Sequence, residues 1–496
     1  MKVKVPFSLN EEKLTPLLLT FVVILSNIHL SRCDHCCQSS HWVGEDESNN
    51  GDDTPSPTPT TILEGIKTFQ EQRAQECGAE DDENCGGSRG RRTRDTSSKE
   101  KRYILYEINP GEGFNLRRDI FVRIAPLIKS LNSKISTQFD WILVLPPWQG
   151  IPHWRHTPRK DSFPWGTFFS IESIKKYVPV LEWDQFLDEY GFHSGLDVIF
   201  NLAHFPLNKD DNSWQDEVKL NPNCDTTKSI PFSFEMQKDN SYWGNMWGHP
   251  ITTARIECVS LRGTGPTLLP LIKEEGLRCT AIFLSSAEVI LWDEYGSEEW
   301  WRARAALKFS SNLVTLAENL VLKYFQSPSS SSPSDAKVKV TPYLSVHLRR
   351  RDFLLRKDGK SLSLKDVADQ IARVCAELKF EHVFVATDAD EKERIELIKL
   401  LGNISVTMSS CPPNSPPLSE GECAILDQLV CSLSPHFIGT EGSTFTLRIF
   451  EERLLHGKTP DSTFNYFCAS DKKTSDCPKP TRWLIPDVAK DLISST

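Results

Sequence analysis

Residues 342–352 read "PYLSVHLRRRD", and this stretch decides the fold that the sequence predicts. Its first part is a mainly apolar run of strand length, which three arginines and an aspartate follow directly. A helical pattern then begins, with apolar residues at Val367, Ile371, Val374 and Leu378. A buried strand followed by an amphipathic helix is the repeating unit of a parallel sheet. The polar end of the predicted strand therefore lies where such a sheet binds ligands.

The same alternation continues towards the C-terminus. Three further apolar runs precede helical patterns: "HVFVATD" before "EKERIELIKLLG", "ISVTM" before "GECAILDQLVCSL", and "HFIGT" before "GSTFTLRIFEERLLHG". Short strands that alternate with helices of this length are typical of a parallel sheet with helices on both faces. Residues 337–496 are therefore predicted to form one α/β domain.

The preceding part of the chain is less regular. Apolar runs of strand or buried-segment length are "YILYEI", "DWILVLPPW", "TAIFLSS" (280–286) and "AEVILWD" (287–293). One continuous helical spacing covers 298–325, and "QSPSSSSPSD" follows it. Serine and proline in that density are typical of a flexible connection. We predict a second α/β domain over 103–325 and a flexible insert over 326–336.

The chain has 496 residues, enough for two domains with unstructured additions. Its net charge of −10 argues against a nucleic-acid-binding protein.

Residues 1–30 contain an apolar run between Leu17 and Leu25, which fits a signal peptide, with a signal anchor as the alternative. We expect no stable membrane span if this leader is cleaved. The charged, Ser/Thr/Pro/Gly-rich segment 31–102 is predicted to be a disordered linker.

Fourteen cysteines after such a leader indicate an oxidising compartment and disulfide bonds. Short separations make Cys468–Cys477 and Cys224–Cys258 the simplest candidate pairs. Asn403 begins the sequence Asn-Ile-Ser, a candidate N-glycosylation site in that compartment.

Two strand ends of the C-terminal domain suggest an anion site. Arg349 follows the first strand, and arginine forms bidentate bonds with phosphate groups. Its alternative role is in a salt-bridged surface turn. Ser443 and Thr444 open the last helix, where free amide groups and the helix dipole attract anions, although both can also be plain helix caps. Together, the two strand ends favour a diphosphate site.

Acidic residues in the same domain have two interpretations each. Asp388 and Asp390 form an Asp-x-Asp pair, which can bind a metal, but we favour Asp388 as a helix cap with Glu391 three residues on. Asp427 lies on an otherwise apolar helix, where an unpaired charge is costly. A ligand hydroxyl, a base edge or a protein group can be its partner.

A turn near the start of the ordered sequence also stands out. Residues 108–119, "INPGEGFNLRRD", place Glu112 between Gly111 and Gly113. Glycine allows positive φ and close approach of the backbone to a ligand, so this turn can present a carboxylate into a cleft. The alternative is a surface turn with a solvated glutamate.

These motifs resemble, in the same order, those of the GDP-fucose protein O-fucosyltransferases. The similar segments run from about Tyr103 to Trp483: "NPGEGFNLRRD", "WILVLPPW", "HLRRRDF", "VFVATDA", "DQLVCS", "FIGTEGSTFTLRIFEER" and "FNYFC". The glycine-rich turn is similar to that of the branch acting on thrombospondin type 1 repeats. The resemblance implies a GT-B fold of α/β class, with two Rossmann-like domains whose parallel sheets face a central cleft. It also implies inverting transfer of fucose from GDP-fucose to Ser or Thr of folded thrombospondin type 1 repeats, in the endoplasmic reticulum lumen, with no required cofactor and no metal.

The resemblance also assigns site residues. Glu112 matches the catalytic base, and Arg349 matches a residue that acts on the diphosphate. The donor contacts that it implies are Gly111, Gly113, Phe114, Asn115, His347, Leu348, Asp427, Ser443, Thr444 and Phe445. The two candidate disulfides match the family's pairing. Gly111 departs from the family, which usually has proline there.

Two alternatives stay open. One is a lumenal binding or quality-control protein that recognises folded repeats without turnover. The other is a transferase of the same fold that acts on a glycan, against which the "PGEGFN" turn argues. Glu112 and Arg349, both present, favour an enzyme.

Overall fold

The structure is a computed structural model. It describes residues 99–487 except 136–137, 192–194, 206–214, 222–233, 292–294, 328–339, 356–361, 409–417 and 470–476. The predicted leader, the predicted linker up to residue 98, and residues 328–336 of the predicted insert lie outside the described residues. The predicted linker ends too late, because the first strand begins at Glu100.

The first half of the chain forms a nine-stranded sheet. Its strands are β1 Glu100–Tyr106, β2 Phe139–Leu145, β5 Val180–Glu182, β6 Leu196–His204, β7 Glu217–Leu220, β8 Phe234–Met236, β9 Tyr242–Met246, β10 His249–Arg262 and β11 Ala281–Ser285. The order is β5-β2-β1-β11-β6-β10-β9-β8, with β7 beside β10. The strands from β5 to β10 in this order run parallel, and β7, β8 and β9 are antiparallel additions. The strands β3 Trp148–Gln149 and β4 Ser162–Phe163 pair separately.

The second half forms a four-stranded parallel sheet in the order β14-β13-β12-β15. These strands are β12 Tyr343–Leu348, β13 His382–Thr387, β14 Ser405–Met408 and β15 His436–Ile438. Every pairing in it is parallel. The stretch "PYLSVHLRRRD" contains β12, one of the two inner strands of this sheet. The α/β class is confirmed, with parallel strands in both halves as expected for a GT-B fold.

The described residues contain twelve α-helices. They are α1 Phe114–Ser130, α2 Ile171–Tyr177, α3 Trp183–Tyr190, α4 Leu269–Gly276, α5 Glu298–Ala306, α6 Ser311–Phe325, α7 Arg351–Leu354, α8 Leu364–Leu378, α9 Glu391–Leu401, α10 Glu420–Leu433, α11 Thr444–Leu455 and α12 Pro460–Thr463.

The structure corrects one predicted element and defines another that the sequence left open. The single helix expected over 298–325 is wrong, because the chain breaks between α5 and α6, where Phe309 forms a β-bridge with Phe169. The apolar run that begins at Ala287, of strand or buried-segment length, is a buried segment and not a strand, because Ser286 adopts a left-handed conformation (φ 56°, ψ 44°) and a 3-10 turn follows at Ala287–Val289. Apolar periodicity reports burial, and it does not report where tertiary contacts break an element.

The two halves share one buried core. Ile124 in α1 and Phe450 in α11 belong to the same apolar cluster, and neither is exposed. Burial of such side chains provides about 1.5–3 kcal/mol each, so a large apolar surface holds the halves together.

A buried set of ion pairs also joins the halves. Asp119 in α1 contacts Arg448 in α11 at 3.0 Å and Arg123 at 2.9 Å. Arg304 in α5 donates to Glu451 at 2.6 Å and to Glu452 at 2.7 Å, both in α11. Buried charges are tolerated only when they are paired in good geometry, so these contacts fix how α11 sits against α1 and α5.

One predicted disulfide is confirmed, since Cys468 and Cys477 are bonded. Cys258 is also disulfide-bonded, but Cys224 lies outside the described residues, so that pairing stays a prediction. Asn403 is exposed in the turn before β14. Over the described part of the chain, no helix has the length and apolar character needed to cross a membrane.

We expect Asp119→Ala to destabilise the protein by about 3–5 kcal/mol, because it leaves Arg448 and Arg123 without their shared carboxylate. Glu100→Ala is the control, since its carboxylate is 65% exposed beside Arg102 and an exposed pair contributes roughly 0–1 kcal/mol. Denaturant unfolding measures both. Equal losses in the two variants would contradict the assigned role of the buried pair.

Candidate functional site

The glycine-flanked turn joins the end of β1 to the start of α1. The amide of Glu112 donates to the carbonyl of Asn109 at 3.1 Å, and the Arg117 guanidinium donates to the carbonyl of Glu112 at 3.2 Å. Glu112 itself is partly exposed. These bonds hold its backbone, so the position from which the carboxylate projects is fixed.

The expected role of positive φ in this turn is wrong. Neither Gly111 nor Gly113 has positive φ, and Gly113 is extended at φ −82°. Gly113 is needed for close packing, because a Cβ there would lie 2.9 Å from Cδ2 of His153. A Cβ at Gly111 would meet nothing within 4 Å. The departure from proline at Gly111 therefore removes no packing contact.

The two residues after the turn have different surroundings. The ring of Phe114 is buried in an aromatic cluster, with its centroid 4.7 Å from that of Trp148 and 5.6 Å from that of Phe168. The side chain of Asn115 accepts a hydrogen bond from Gln428 of α10 at 2.9 Å. Phe114 therefore anchors the turn, and Asn115 connects it to the second half.

Arg349 lies at the carboxyl end of β12. It forms ion pairs with Asp352 at 2.8 Å and with Asp388 at 2.9 Å, and its amide donates to the hydroxyl of Thr440 at 3.0 Å. Only part of the side chain is exposed. The carboxylates hold the guanidinium in place beside the site, which is the arrangement needed to receive an anion without reorganisation.

The two arginines after Arg349 do not share its position. Arg350 points to α9, where it donates to Glu393 at 2.9 Å, and it also donates to the Leu362 carbonyl at 2.7 Å. Arg351 begins α7 and is exposed.

The predicted cap of α9 is wrong by two residues. Asp390 is the cap and accepts from the amide of Glu393, whereas Asp388 accepts from the amide of Arg350 at 2.6 Å. Asp388 is thus free of the helix and available to orient Arg349.

His347 is buried in β12 with only 4% of its surface exposed. Burial, with a further contribution from the positive charge of Arg349, lowers the pKa of His347 to about 3, so its imidazole is neutral. Nδ1 lies 2.8 Å from the hydroxyl of Thr446, and the ring stacks on Phe445 at 4.4 Å between centroids. The hydroxyl of Thr446 also accepts from the amide of Thr440, so the contact with Nδ1 holds the imidazole ring in a fixed orientation.

The start of α11 has the features of an anion site. Ser443 is buried at the cap position and makes no side-chain cap bond, and Thr444 is exposed. The first helical bond runs from the amide of Leu447 to the carbonyl of Ser443. The amides before Leu447 therefore have no partner within the helix, as at any helix start, and they favour an anion.

The structure shows the surroundings of two predicted donor contacts, Leu348 and Asp427. Leu348 is buried in the core of the second half, so only its backbone can face a ligand. Asp427 is half-buried near Tyr324 of α6: burial raises the pKa of that phenol, and the charge of Asp427 raises it further. Its neighbour Gln428 makes the described contact to α1.

His153 connects the two groups of site residues. It packs against Gly113, and the groups whose charges act on it include Arg349, Asp352 and Asp388. His153 is partly exposed. Desolvation by the protein around it lowers its pKa, and the positive charge of Arg349 lowers that pKa further. His153 therefore contacts the Glu112 turn and lies near enough to the Arg349 strand end for that charge to act on it.

The loop that carries His153 is fastened to the second half. Amides of Arg155, His156 and Thr157 donate to the carboxylate of Glu420 at 2.9–3.0 Å, as does the Thr157 hydroxyl. Glu420 is the first residue of α10. These bonds hold the loop of the first half against α10 of the second half.

The sequence did not single out His153, Thr440, Thr446 or Gln428. Each acts through a contact with a residue far away in the chain. Gln428, Thr440 and Thr446 lie within segments that resemble the family, but the resemblance assigned them no role. The only signal was position, since Thr440 and Thr446 flank the predicted anion site.

Comparison with known proteins gives a consistent family. The family model for GDP-fucose protein O-fucosyltransferase matches residues 103–456. The human "GDP-fucose protein O-fucosyltransferase 2" is 34% identical over 403 residues, covering 78% of this chain and 91% of the relative. The Caenorhabditis elegans protein of that name is 32% identical over 401 residues, covering 78% and 90%. A crystal structure of POFUT1 in complex with GDP-fucose aligns with a TM-score of 0.49 at 16% identity, covering 75% of this chain and 99% of that one.

We expect His153 to titrate below the ordinary value of 6.5, and Arg349→Gln to raise its pKa, because a neighbouring positive charge is removed. Histidine NMR during a pH titration measures both. Arg351→Gln is the control and should leave the titration unchanged. A downward shift, or none, in Arg349→Gln would show that His153 and Arg349 do not lie close together.

Proposed function

The chain belongs to the GDP-fucose protein O-fucosyltransferase family, and we propose that it transfers fucose with inversion from GDP-fucose to Ser or Thr of folded thrombospondin type 1 repeats. We propose that it does so in the endoplasmic reticulum lumen. That it is a GDP-fucose-dependent O-fucosyltransferase follows from the family; the acceptor, the stereochemistry and the location are the proposal. The observation that carries it is the position of His153, which contacts the Glu112 turn and lies within electrostatic reach of Arg349.

The second half supplies the groups that suit a departing diphosphate. Arg349 offers a fixed guanidinium, α11 offers amides at its start, and His347 offers a neutral imidazole. Donors that are already oriented stabilise developing negative charge without reorganisation. This arrangement needs no metal ion to neutralise the leaving group, which supports the proposal that no cofactor is required.

The first half supplies the base. Glu112 projects from a turn whose backbone is fixed by Asn109 and Arg117. In the proposed reaction its carboxylate accepts the proton of the acceptor hydroxyl as that oxygen bonds to the anomeric carbon and the bond to the diphosphate breaks. Inversion requires base and leaving group on opposite sides of that carbon. A turn in one half facing an anion site in the other fits this requirement.

The acceptor and the location are supported by other features. The similarity of the "NPGEGFN" turn to the branch that modifies thrombospondin type 1 repeats supports the acceptor. The Cys468–Cys477 disulfide supports an oxidising compartment, in which the exposed Asn403 can be glycosylated.

The alternative of a binding protein without turnover depended on Gly111. Because open space surrounds Gly111 and the turn is fixed by bonds from its neighbours, the absence of proline gives no reason to expect a misdirected base.

We expect Glu112→Gln to reduce transfer from GDP-fucose to a folded thrombospondin type 1 repeat by about 10²–10⁴-fold, because a positioned base is lost. The measurement is labelled-fucose transfer with and without EDTA, with an unfolded repeat and a folded EGF-like repeat as comparison acceptors. Glu172→Gln, in the exposed first turn of α2, is the control.

The proposal predicts transfer to the folded repeat alone, unaffected by EDTA. Activity retained in Glu112→Gln would refute the role of the base. Binding of GDP-fucose without transfer by the wild type would favour the binding protein.

The two glycines of the turn should differ in their tolerance of alanine. Gly111→Ala should keep kcat/KM within about twofold, because its Cβ enters open space. Gly113→Ala should lower kcat/KM by roughly 10–100-fold, because displacement of the turn and His153 disturbs the reacting geometry. Steady-state kinetics and thermal unfolding of both variants check this. The opposite order of activities would contradict the described packing.

A further inference from the structure

Glu288 is connected to the base-bearing turn by hydrogen bonds. Its carboxylate accepts from the amide of Asn109 at 3.2 Å, and the carbonyl of Asn109 accepts from the amide of Glu112 at 3.1 Å. A single residue, Asn109, thus lies between the two carboxyl-bearing residues. Neither the sequence motifs nor the resemblance assigned any role to Glu288.

The segment that carries Glu288 is held rigidly against that turn. Ser286 is in the left-handed region, and the amide of Ala287 donates to the carbonyl of Glu107 at 2.9 Å. Arg123 of α1 donates to the carbonyls of Glu288 at 3.2 Å and Ile290 at 2.8 Å. A non-glycine residue in this conformation costs roughly 1–3 kcal/mol and persists only where its surroundings require it.

The charges that face Glu288 come from three elements. Glu107 directly follows β1 and is paired with Arg117 at 3.0 Å. Its carboxylate also accepts from the indole of Trp247, in the turn between β9 and β10, at 2.7 Å. Glu112 lies in the turn, and Arg123 approaches from α1. Burial raises the pKa of Glu288 to about 7, and the negative charges of Glu112 and Glu107 contribute. Carboxyl groups coupled in this way titrate as a set and not independently.

We propose that Glu288 is a positioning residue for Glu112: it holds the turn that carries Glu112 through the hydrogen bonds of Asn109. This inference rests on the proposed function for its catalytic meaning, but the coupling of the two carboxyl groups can be measured without any acceptor.

The first experiment is an infrared titration of protonated carboxyl groups in the purified protein. We expect a band titrating near neutral pH that Glu288→Gln removes and that Glu112→Gln moves to lower pH by about one unit, because a negative neighbour is lost. Glu182→Gln is the matched control: Glu182, in β5, also accepts two backbone amides and is largely desolvated. An unmoved band in Glu112→Gln would overturn the coupling.

The second experiment is steady-state transfer. In Glu288→Gln the KM for GDP-fucose should stay within about twofold of wild type, because Gln keeps an acceptor oxygen for the Asn109 amide and leaves the turn in place. A larger change in KM would contradict a role limited to the turn.

A second substitution at the same residue, Glu288→Ala, tests the positioning role. Glu288→Gln keeps an acceptor oxygen for Asn109, whereas Glu288→Ala does not, so kcat should be roughly tenfold lower in Glu288→Ala than in Glu288→Gln. Equal kcat values would overturn the positioning role. If the infrared coupling is present but the wild type modifies no thrombospondin repeat, the proposed acceptor fails and the coupled pair stands.

Discussion

The buried contact between Asp119 and Arg448 is the constraint on which the rest of the arrangement depends. It joins α1 to α11 at 3.0 Å with both side chains almost fully buried. The first of these helices begins at the base-bearing turn, and the second begins at the anion site. Because a buried charge is stable only beside its partner, this pairing allows one relative placement of the two helices. The distance between base and leaving group is therefore set by electrostatics in the core.

Contacts nearer the cleft reinforce this placement. Gln428 of α10 donates to Asn115, and Glu420 of the same helix accepts three amides of the loop that carries His153. Both contacts run between the halves. In the proposed reaction the first half brings the base and the second brings the donors for the diphosphate, so neither half alone has a complete site. A site divided in this way requires the halves to be held as firmly as they are.

How much the sequence could predict differs between the halves. Around β12 the strands and helices alternate regularly, so local apolar spacing was enough to predict the four-stranded parallel sheet. In the first half, tertiary contacts decided the outcome: Phe309 breaks a helix by pairing with Phe169, and Ser286 ends β11 with a left-handed residue. Periodicity contains no information about either event. The same limit explains why Asp388, expected to cap α9, orients Arg349.

The same limit applied to the candidate site: local motifs identified some of its residues, but not those that act through distant contacts. Glu112 and Arg349 were found because they lie in motifs that resemble a family, and the structure places His153 near both. His153 and Glu288 were not found, because each acts through a contact with the Gly-Glu-Gly turn from a distant part of the chain. Phe114 and Leu348 matched the family's donor-contacting motifs, yet both side chains are in the core. At these two positions the motif therefore preserves the course of the backbone and not a side-chain contact with the donor.

The most direct test of this account is a crystal structure of the protein with GDP-fucose bound. The account predicts the diphosphate between Arg349 and the start of α11, and the Glu112 carboxylate on the opposite side of the anomeric carbon, with α1 and α11 in the placement set by Asp119 and Arg448. A diphosphate bound away from Arg349, or a Glu112 carboxylate directed out of the cleft, would contradict it.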